Sequence, residues 1–162
     1  MGIGKVTMNI RLKKAALNEA EFILKMQKEA FAELLEKYQD YETNPANESI
    51  DKITTRLNQN FTYYYLIDVD NEIVGVIRGV DEKDGIKKRI SPIFVLPRYQ
   101  NMGIAQKAIQ AAEEIHGNDN WKLETILQEE KNCHLYEKMG YKKTGKTEKI
   151  NEKLTLVFYE KA

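Results

Sequence analysis

Residues 97–105 read PRYQNMGIA, and the fold turns on how that stretch is read. Before it, "RISPIFVL" (89–96) is a run of β-type residues. After it, "IAQKAIQAAEEIHG" (104–117) carries the spacing of an amphipathic helix. A strand must therefore become a helix within a few polar residues, around Gln100, Asn101 and Gly103. A helix N-terminus presents unpaired N–H groups and a partial positive charge. Fed by a strand through a tight turn, it can cradle a phosphate. Gly103 would let the backbone come close to that ligand, and Ala105 would keep the approach clear. Lys107 is electrostatically misplaced in the first helical turn unless an anion sits nearby. The competing reading is a plain strand-to-helix connection with a helpful glycine. Neither G-x-x-x-x-G-K-S/T nor G-x-G-x-x-G occurs, so a P-loop nucleotide site is excluded and a Rossmann site is unsupported.

Working outward, "VTMNIRLKKA" (6–15) reads as a first strand. "NEAEFILKMQKEAFAELLEKYQD" (18–40) reads as an amphipathic helix with Asn18 as its cap and Glu21 completing a capping box. "YETNPANE" is a loop, and "SIDKITTRLNQ" a short helix capped by Ser49. Three strands follow: "FTYYYLIDV", "EIVGVIRGV" and "IKKRISPIFVL", joined by the turns "DVDNE" and "DEKDG". Pro92 cannot donate to a ladder, which argues for an edge, a bulge or a gap in the pairing of the third strand. Beyond the helix ended by His116 and Gly117 come a strand "WKLETILQ", a helix "EKNCHLYEKMG" and a hairpin of "YKKTGKTEKI" with "KLTLVFYEK". An antiparallel meander followed by a strand-helix-strand crossover predicts an α+β fold, a mixed sheet of about seven strands flanked by four helices.

A length of 162 residues predicts one domain over 1–162, large enough to bury a core without disulfides or metal. At 42% hydrophobic and 31% charged residues, the chain is neither disordered nor membranous. No apolar run approaches the roughly 18 residues of a membrane span, and "MGIGKVTMNI" lacks the apolar core of a signal peptide. Val6 stands where a myristoylation motif needs Ser or Thr. A net charge of +0 gives no pull toward nucleic acid, and a single cysteine, Cys133, fits a reducing cytoplasm.

The stretch "IFVLPRYQNMGIAQKAI" resembles motif A of the GNAT superfamily of acyl-CoA-dependent N-acetyltransferases, V-x-P-x-x-Q/R-x-x-G-x-G/A running from a strand into a helix. Val95, Pro97, Gln100, Gly103 and Ala105 fall in register. "HLYEKMGYKKTGK" is similar to the later family pattern L-Y-x-K-x-G-F, with Leu135, Tyr136, Lys138 and Gly140 matching and Tyr141 in place of Phe. Two motifs in the right order and spacing are far more specific than either alone, and the element order is also that of the family.

The resemblance implies an acetyltransferase using acetyl-CoA as cosubstrate. Backbone amides of Gln100, Asn101, Met102, Gly103, Ile104 and Ala105 would hold the CoA pyrophosphate. The backbone of Phe94 and Val95 would pair with the pantetheine arm, in a slot opened where this strand bulges at Pro92. Tyr136 would protonate the departing thiolate, a task that suits a phenol still protonated at neutral pH. Family members often carry Asn seven residues before that tyrosine. Here the position is Glu129, and Asn132 is the expected substitute for the contact.

Acetyl transfer needs a neutral amine, so a base must take its proton. Glu124 in "WKLETILQ" is the first candidate, on the strand across from the cofactor strand; Asp40 and Glu42 are alternatives, and Tyr38 and Tyr41 could line an acceptor pocket. The Cys133-His134 pair is not read as a nucleophile or metal site, because adjacent residues point to different sides of a helix. "FTYYYLI" is explained by alternation along a buried strand, and the lysines of "YKKTGKTEK" by a solvated strand edge. The predicted acceptor is a small-molecule or peptide amine, without nucleic acid or membrane partners, and the last strands could pair two copies as a homodimer. A larger acyl-CoA, or a CoA-binding regulatory module without turnover, are the alternatives, the latter disfavoured by Tyr136.

Overall fold

Strands buried on both faces must be largely apolar on both faces, and "TYYYLIDV" and "EIVGVIRGV" are, with Thr62, Asp68 and Arg78 as the buried polar exceptions. In the computed structural model, which describes residues 8–83 and 85–162, they lie inside a seven-stranded sheet. Its strands are β1 (Ile10–Lys14), β2 (Thr62–Val69), β3 (Glu72–Val80), β4 (Lys88–Val95), β5 (Trp121–Ile126), β6 (Lys142–Lys149) and β7 (Thr155–Lys161). The helices are α1 (Ala20–Tyr38), α2 (Ile50–Asn58), α3 (Ile104–His116) and α4 (Glu130–Lys138). The order across the sheet is β1-β2-β3-β4-β5-β7-β6, and only the β4–β5 pair is parallel. The α+β fold read from the sequence is thus the fold observed. The first strand is shorter than expected, and the readings placed on residues 1–7 lie outside the described residues.

Two apolar clusters sandwich the sheet. On one face Ile23, Met26 and Ala30 of α1 and Ile53 of α2 pack on Tyr64, Leu66, Val76, Phe94 and Leu96. On the other, Ile104, Ala108, Ile109 and Ala112 of α3, with Cys133 and Tyr136 of α4, pack on Ile67, Ile77, Val95, Trp121, Leu123 and Tyr159. Each fully buried Ile contributes about 1.5–3 kcal/mol. The tyrosine run alternates as expected: Tyr64 faces α1 and α2, while Tyr65 donates to or accepts from His116 Nε2 at 2.8 Å on the α3 side.

The helix starts differ from the sequence reading in one place. Ser49 caps α2 by accepting from the Lys52 amide at 3.2 Å, as expected. Asn18 does not cap α1. A 3-10 turn (Leu17–Glu19) precedes the helix, and the Glu19 carboxylate accepts from the Ala16 amide at 2.8 Å. A carboxylate three residues along reaches back to the orphan donor without a hydroxyl or amide at the cap.

Pro92 sits in a central strand, so the edge reading is corrected and the bulge and gap readings hold. Ile77 faces Ile93 and Gly79 faces Ile90, leaving Arg78 opposite both Ser91 and Pro92. Buried Arg78 secures this bulge by donating Nη1 to the Ser91 carbonyl at 2.9 Å. Its burial, aided by the neighbouring Arg56 charge, pushes the guanidinium down to about 10. On the other side, β4 pairs with β5 only through Lys88–Trp121 and Arg89–Lys122. Beyond those residues the two strands part, leaving a fork in the middle of the sheet.

Candidate active site

The foot of α3 stands at one side of the fork. Asn101 and Gly103 both take left-handed backbone conformations, at φ 64° and 79°, which aim the chain into the helix. No side chain caps α3, and no described residue accepts from the amides of Asn101, Met102, Gly103, Ile104, Ala105 or Gln106. A Cβ added at Gly103 would meet nothing within 4 Å, so the space beside this glycine is open. Six donors at a helix N-terminus, with open space at Gly103 among them, fit a pyrophosphate. Lys107 is exposed beside them. Gln100 has a second role: its Nε2 donates to the Val95 carbonyl at 2.9 Å, folding the turn back onto β4.

The same ladder corrects the assignment of Phe94. The Leu96 amide donates to the Val74 carbonyl at 2.8 Å, and Val76 faces Phe94 while Gly75 faces Val95. Antiparallel pairs alternate between bonded and non-bonded, so the Phe94 peptide groups face β3. Those of Ile93 and Val95 face the fork. A Cβ on Gly75 would overlap the Phe94 carbonyl oxygen and lie 3.0 Å from the Val95 Cα, which is why β3 carries glycine there. Ile93 is therefore a candidate that the sequence reading missed; only the register of the bulge, invisible in the sequence, reveals it.

From the α3 side, α4 packs Tyr136 into the cluster that also holds Val95 of β4 and Leu123 of β5. Its ring lies against Tyr141 and Tyr159, both with centroids at 6.2 Å, and its hydroxyl bonds to no described residue. Burial, with the Cys133 thiol adding to it, pushes the phenol up to about 12. Tyr141, the Phe-to-Tyr departure, donates its hydroxyl to buried Glu113 at 3.1 Å, which Lys161 also reaches at 2.9 Å. Asn132 is half-buried with no side-chain partner among the described residues. Glu129 is engaged elsewhere: Tyr38 donates to its Oε2 and Lys37 stands 3.0 Å away. These bonds outweigh burial and hold its carboxyl below the usual carboxylate value. Glu129 thus braces the end of α1 against the start of α4.

The opposite sheet face is open beyond α1 and α2. A cleft of about 380 Å³ lies there over β5, β7 and β6, lined by Arg89, Lys122, Glu124, Lys146, Phe158 and Glu160 among others. Glu124 reaches it from β5 and is ion-paired with Arg89 across the crotch of the fork. The alternatives lie apart from this cleft: Asp40 is buried and accepts from Asn44 Nδ2 at 3.1 Å, while Glu42 and Tyr41 are exposed. Tyr38 is buried in the brace just described. Cys133 is buried with its thiol toward the carbonyls of Ile126 and Leu127, and no metal-binding cluster exists among the described residues. No helix among those residues is long and apolar enough to cross a membrane.

The model of the Acetyltransferase (GNAT) family matches residues 21–141, from the second residue of α1 to the residue before β6. The chain belongs to the GNAT acetyltransferase family. It is an acyl-CoA-dependent N-acetyltransferase by that membership, with acetyl-CoA as the family cosubstrate. Known structures of GNAT enzymes share its fold. Spermidine N-acetyltransferase from Vibrio cholerae, solved with CoA and spermine, superposes with a TM-score of 0.73 at 18% identity, covering 93% of each chain. The ribosomal-protein-S18-alanine N-acetyltransferase of Escherichia coli gives 0.73 at 11% identity, over 93% of this chain and 92% of that one. PaiA N-acetyltransferase from Thermoplasma acidophilum, solved with coenzyme A, gives 0.66 at 16%, over 96% and 100%. At such identities the likeness is one of GNAT fold. A comparison with curated proteins finds no match.

Proposed function

We propose that this GNAT domain acetylates a small-molecule or peptide amine by direct attack on the acetyl group of acetyl-CoA, without an acyl-enzyme. One observation carries this reading: the fork between β4 and β5 has free amides on one face and a carboxylate-bearing cleft on the other. Acetyl-CoA supplies the activated acetyl group. The amides from Asn101 to Gln106 hold its pyrophosphate, as donors aligned with the α3 dipole. The peptide groups of Ile93 and Val95 orient the pantetheine arm, and Asn132 reaches it from α4. An alkyl amine has a pKa of about 10 and arrives mostly protonated. Glu124 takes that proton, directly or through one water, before the amine attacks. Tyr136 gives its proton to the departing sulfur and then recovers one from solvent. Cys133 takes no part, and its lone, reduced thiol supports a cytoplasmic setting.

The test is calorimetric titration of acetyl-CoA, then CoA, into the protein and into Gly103→Asp. The expected result is micromolar affinity for the wild type and a loss of more than about tenfold in the variant, because the carboxylate opposes the pyrophosphate at the same amides. No binding of any acyl-CoA by the wild type would overturn the cofactor assignment.

A further inference from the structure

The cleft on the open sheet face is not charged like a site for a polycation. Across the face run Arg89 on β4, Lys122 beside it on β5, and Glu160 opposite Lys122 on β7. One step deeper into the fork come Glu124, Phe158 opposite it, and Lys146, whose Nζ lies 4.4 Å from the Phe158 ring centroid. A smaller cleft of about 180 Å³ continues past the same Arg89 and Lys122 and adds Lys87 and Glu82. Among the described residues, cations thus outnumber carboxylates along both clefts. Of the carboxylates, Glu124 is already neutralised by Arg89, while Lys122 and Lys146 pair with no carboxylate among the described residues.

Glu124 is thereby a base held by a cation. An oxygen that accepts from a guanidinium is not free to accept from an ammonium until that partner is drawn away. Arg89 is the more exposed member of the pair, at 40% against 25% for Glu124, and lies on the cleft wall next to Lys122. An anion entering the cleft meets Arg89 and Lys122 together. A carboxylate suits the planar guanidinium fork and can displace Glu124 from it.

We propose that the acceptor is a small amine carrying its own carboxylate, a free amino acid or short peptide acid, and that this carboxylate takes Arg89 from Glu124 and so releases the base. Arg89 is then a positioning and specificity residue; Glu124 is the group that touches the amine. The balance is simple. The amine nitrogen forms a bond to the acetyl carbon, and the carbon–sulfur bond of the thioester breaks. The ammonium gives one proton to Glu124 before attack and a second to solvent as the tetrahedral intermediate collapses to the amide. Tyr136 supplies a proton to the sulfur and recovers one from solvent, and Glu124 releases its proton to solvent, so one proton is set free per turnover. A cleft of the observed size admits an amino acid with its side chain against Phe158. A polyamine has no anion with which to open the Arg89–Glu124 pair and adds charge of the wrong sign.

The inference rests on the acetyltransferase reading of the same site, and the experiment separates the two. Thiol release from acetyl-CoA would be followed with free amino acids and dipeptides, with the same compounds as C-terminal amides, and with spermidine. The expected result is a kcat/KM at least about tenfold higher for acids than for the matching amides. Arg89→Met should bring that ratio close to one, lowering kcat/KM for the acids, which lose their anchor, and raising it for the amides, for which Glu124 is no longer held by the guanidinium. Lys122→Ala should shrink the same ratio, and it stands in if Arg89→Met does not fold. Calorimetric affinity for acetyl-CoA should be unchanged in both. Equal or better turnover of amides or spermidine, no turnover of any acid, or an acid preference that survives both substitutions would each overturn the proposal while leaving acetyl-CoA binding, measured alongside, to judge the cofactor assignment.

Discussion

Tyr136 illustrates how one residue's surroundings decide its chemistry. Packed between Tyr141 and Tyr159 and raised to about 12, the phenol stays protonated across the neutral range. Tyr136→Phe removes the proton but keeps the ring in its packing. Turnover should therefore fall by about a hundred- to ten-thousand-fold while acetyl-CoA affinity stays within a few-fold, as read by thiol release and calorimetry; a surviving kcat would remove Tyr136 as the acid. His116 shows the same logic acting on stability. It is held between Tyr63 and Tyr65, and burial lowers its pKa below the ordinary 6.5. A depressed histidine pKa means that the folded state prefers the neutral ring. The contribution is full above the unfolded value and is lost as pH falls below it, because the unfolded chain protonates first. Thermal melts between about pH 7.5 and 5 should show wild type losing stability relative to His116→Gln. Parallel curves would contradict this.

At the scale of elements, Gly75 and Arg78 on β3 set the course of β4. Gly75→Ala places a methyl against the Phe94 carbonyl, and neither is the end of a flexible side chain. We expect a loss of about 2 kcal/mol or more in denaturant unfolding, together with weakened acetyl-CoA binding, since the strand that must shift also borders the fork. Unchanged stability would mean that β4 relaxes freely. The elements themselves were legible: the boundaries of β3, the Ser49 cap, and the turn from β4 into α3 all follow from patterns of a few neighbouring residues. The positions proposed to carry the chemistry, Gly103, Tyr136 and Glu124, also sit in short local signatures. The bulge at Ser91–Pro92 was legible only as a choice among edge, bulge and gap. Its partner Arg78, the engagement of Glu129 by Tyr38, and the switch from Phe94 to Ile93 depend on residues 13 to 91 positions apart or on register. No local pattern carries such information. The Asn18 cap failed because a 3-10 turn over Leu17–Glu19 draws residue 18 into the helical stretch and moves the cap position back to Ala16, whose amide the Glu19 carboxylate satisfies.

Over the whole molecule, the sheet ends on β6, whose eight residues are all exposed and include Lys142, Lys143, Lys146 and Lys149. An edge of this kind discourages pairing with another copy through repulsion and the cost of desolvating charge. Replacing Lys143 and Lys149 by Val should produce concentration-dependent association in light scattering, with the fold retained by circular dichroism. A variant that stays as dispersed as the wild type would show that lysine is not what guards this edge.

The fork makes the sheet's interior behave, in one respect, like its rim. Where β4 and β5 part, the peptide groups of Ile93 and Val95 have no strand beside them. Amide deuteration should therefore reach these two central positions within the time that it reaches outer strands, while the Phe94 amide next to them resists it. Adding acetyl-CoA should slow the central pair selectively, so that the cosubstrate acts as the missing thread that makes one continuous fabric of two half-sheets.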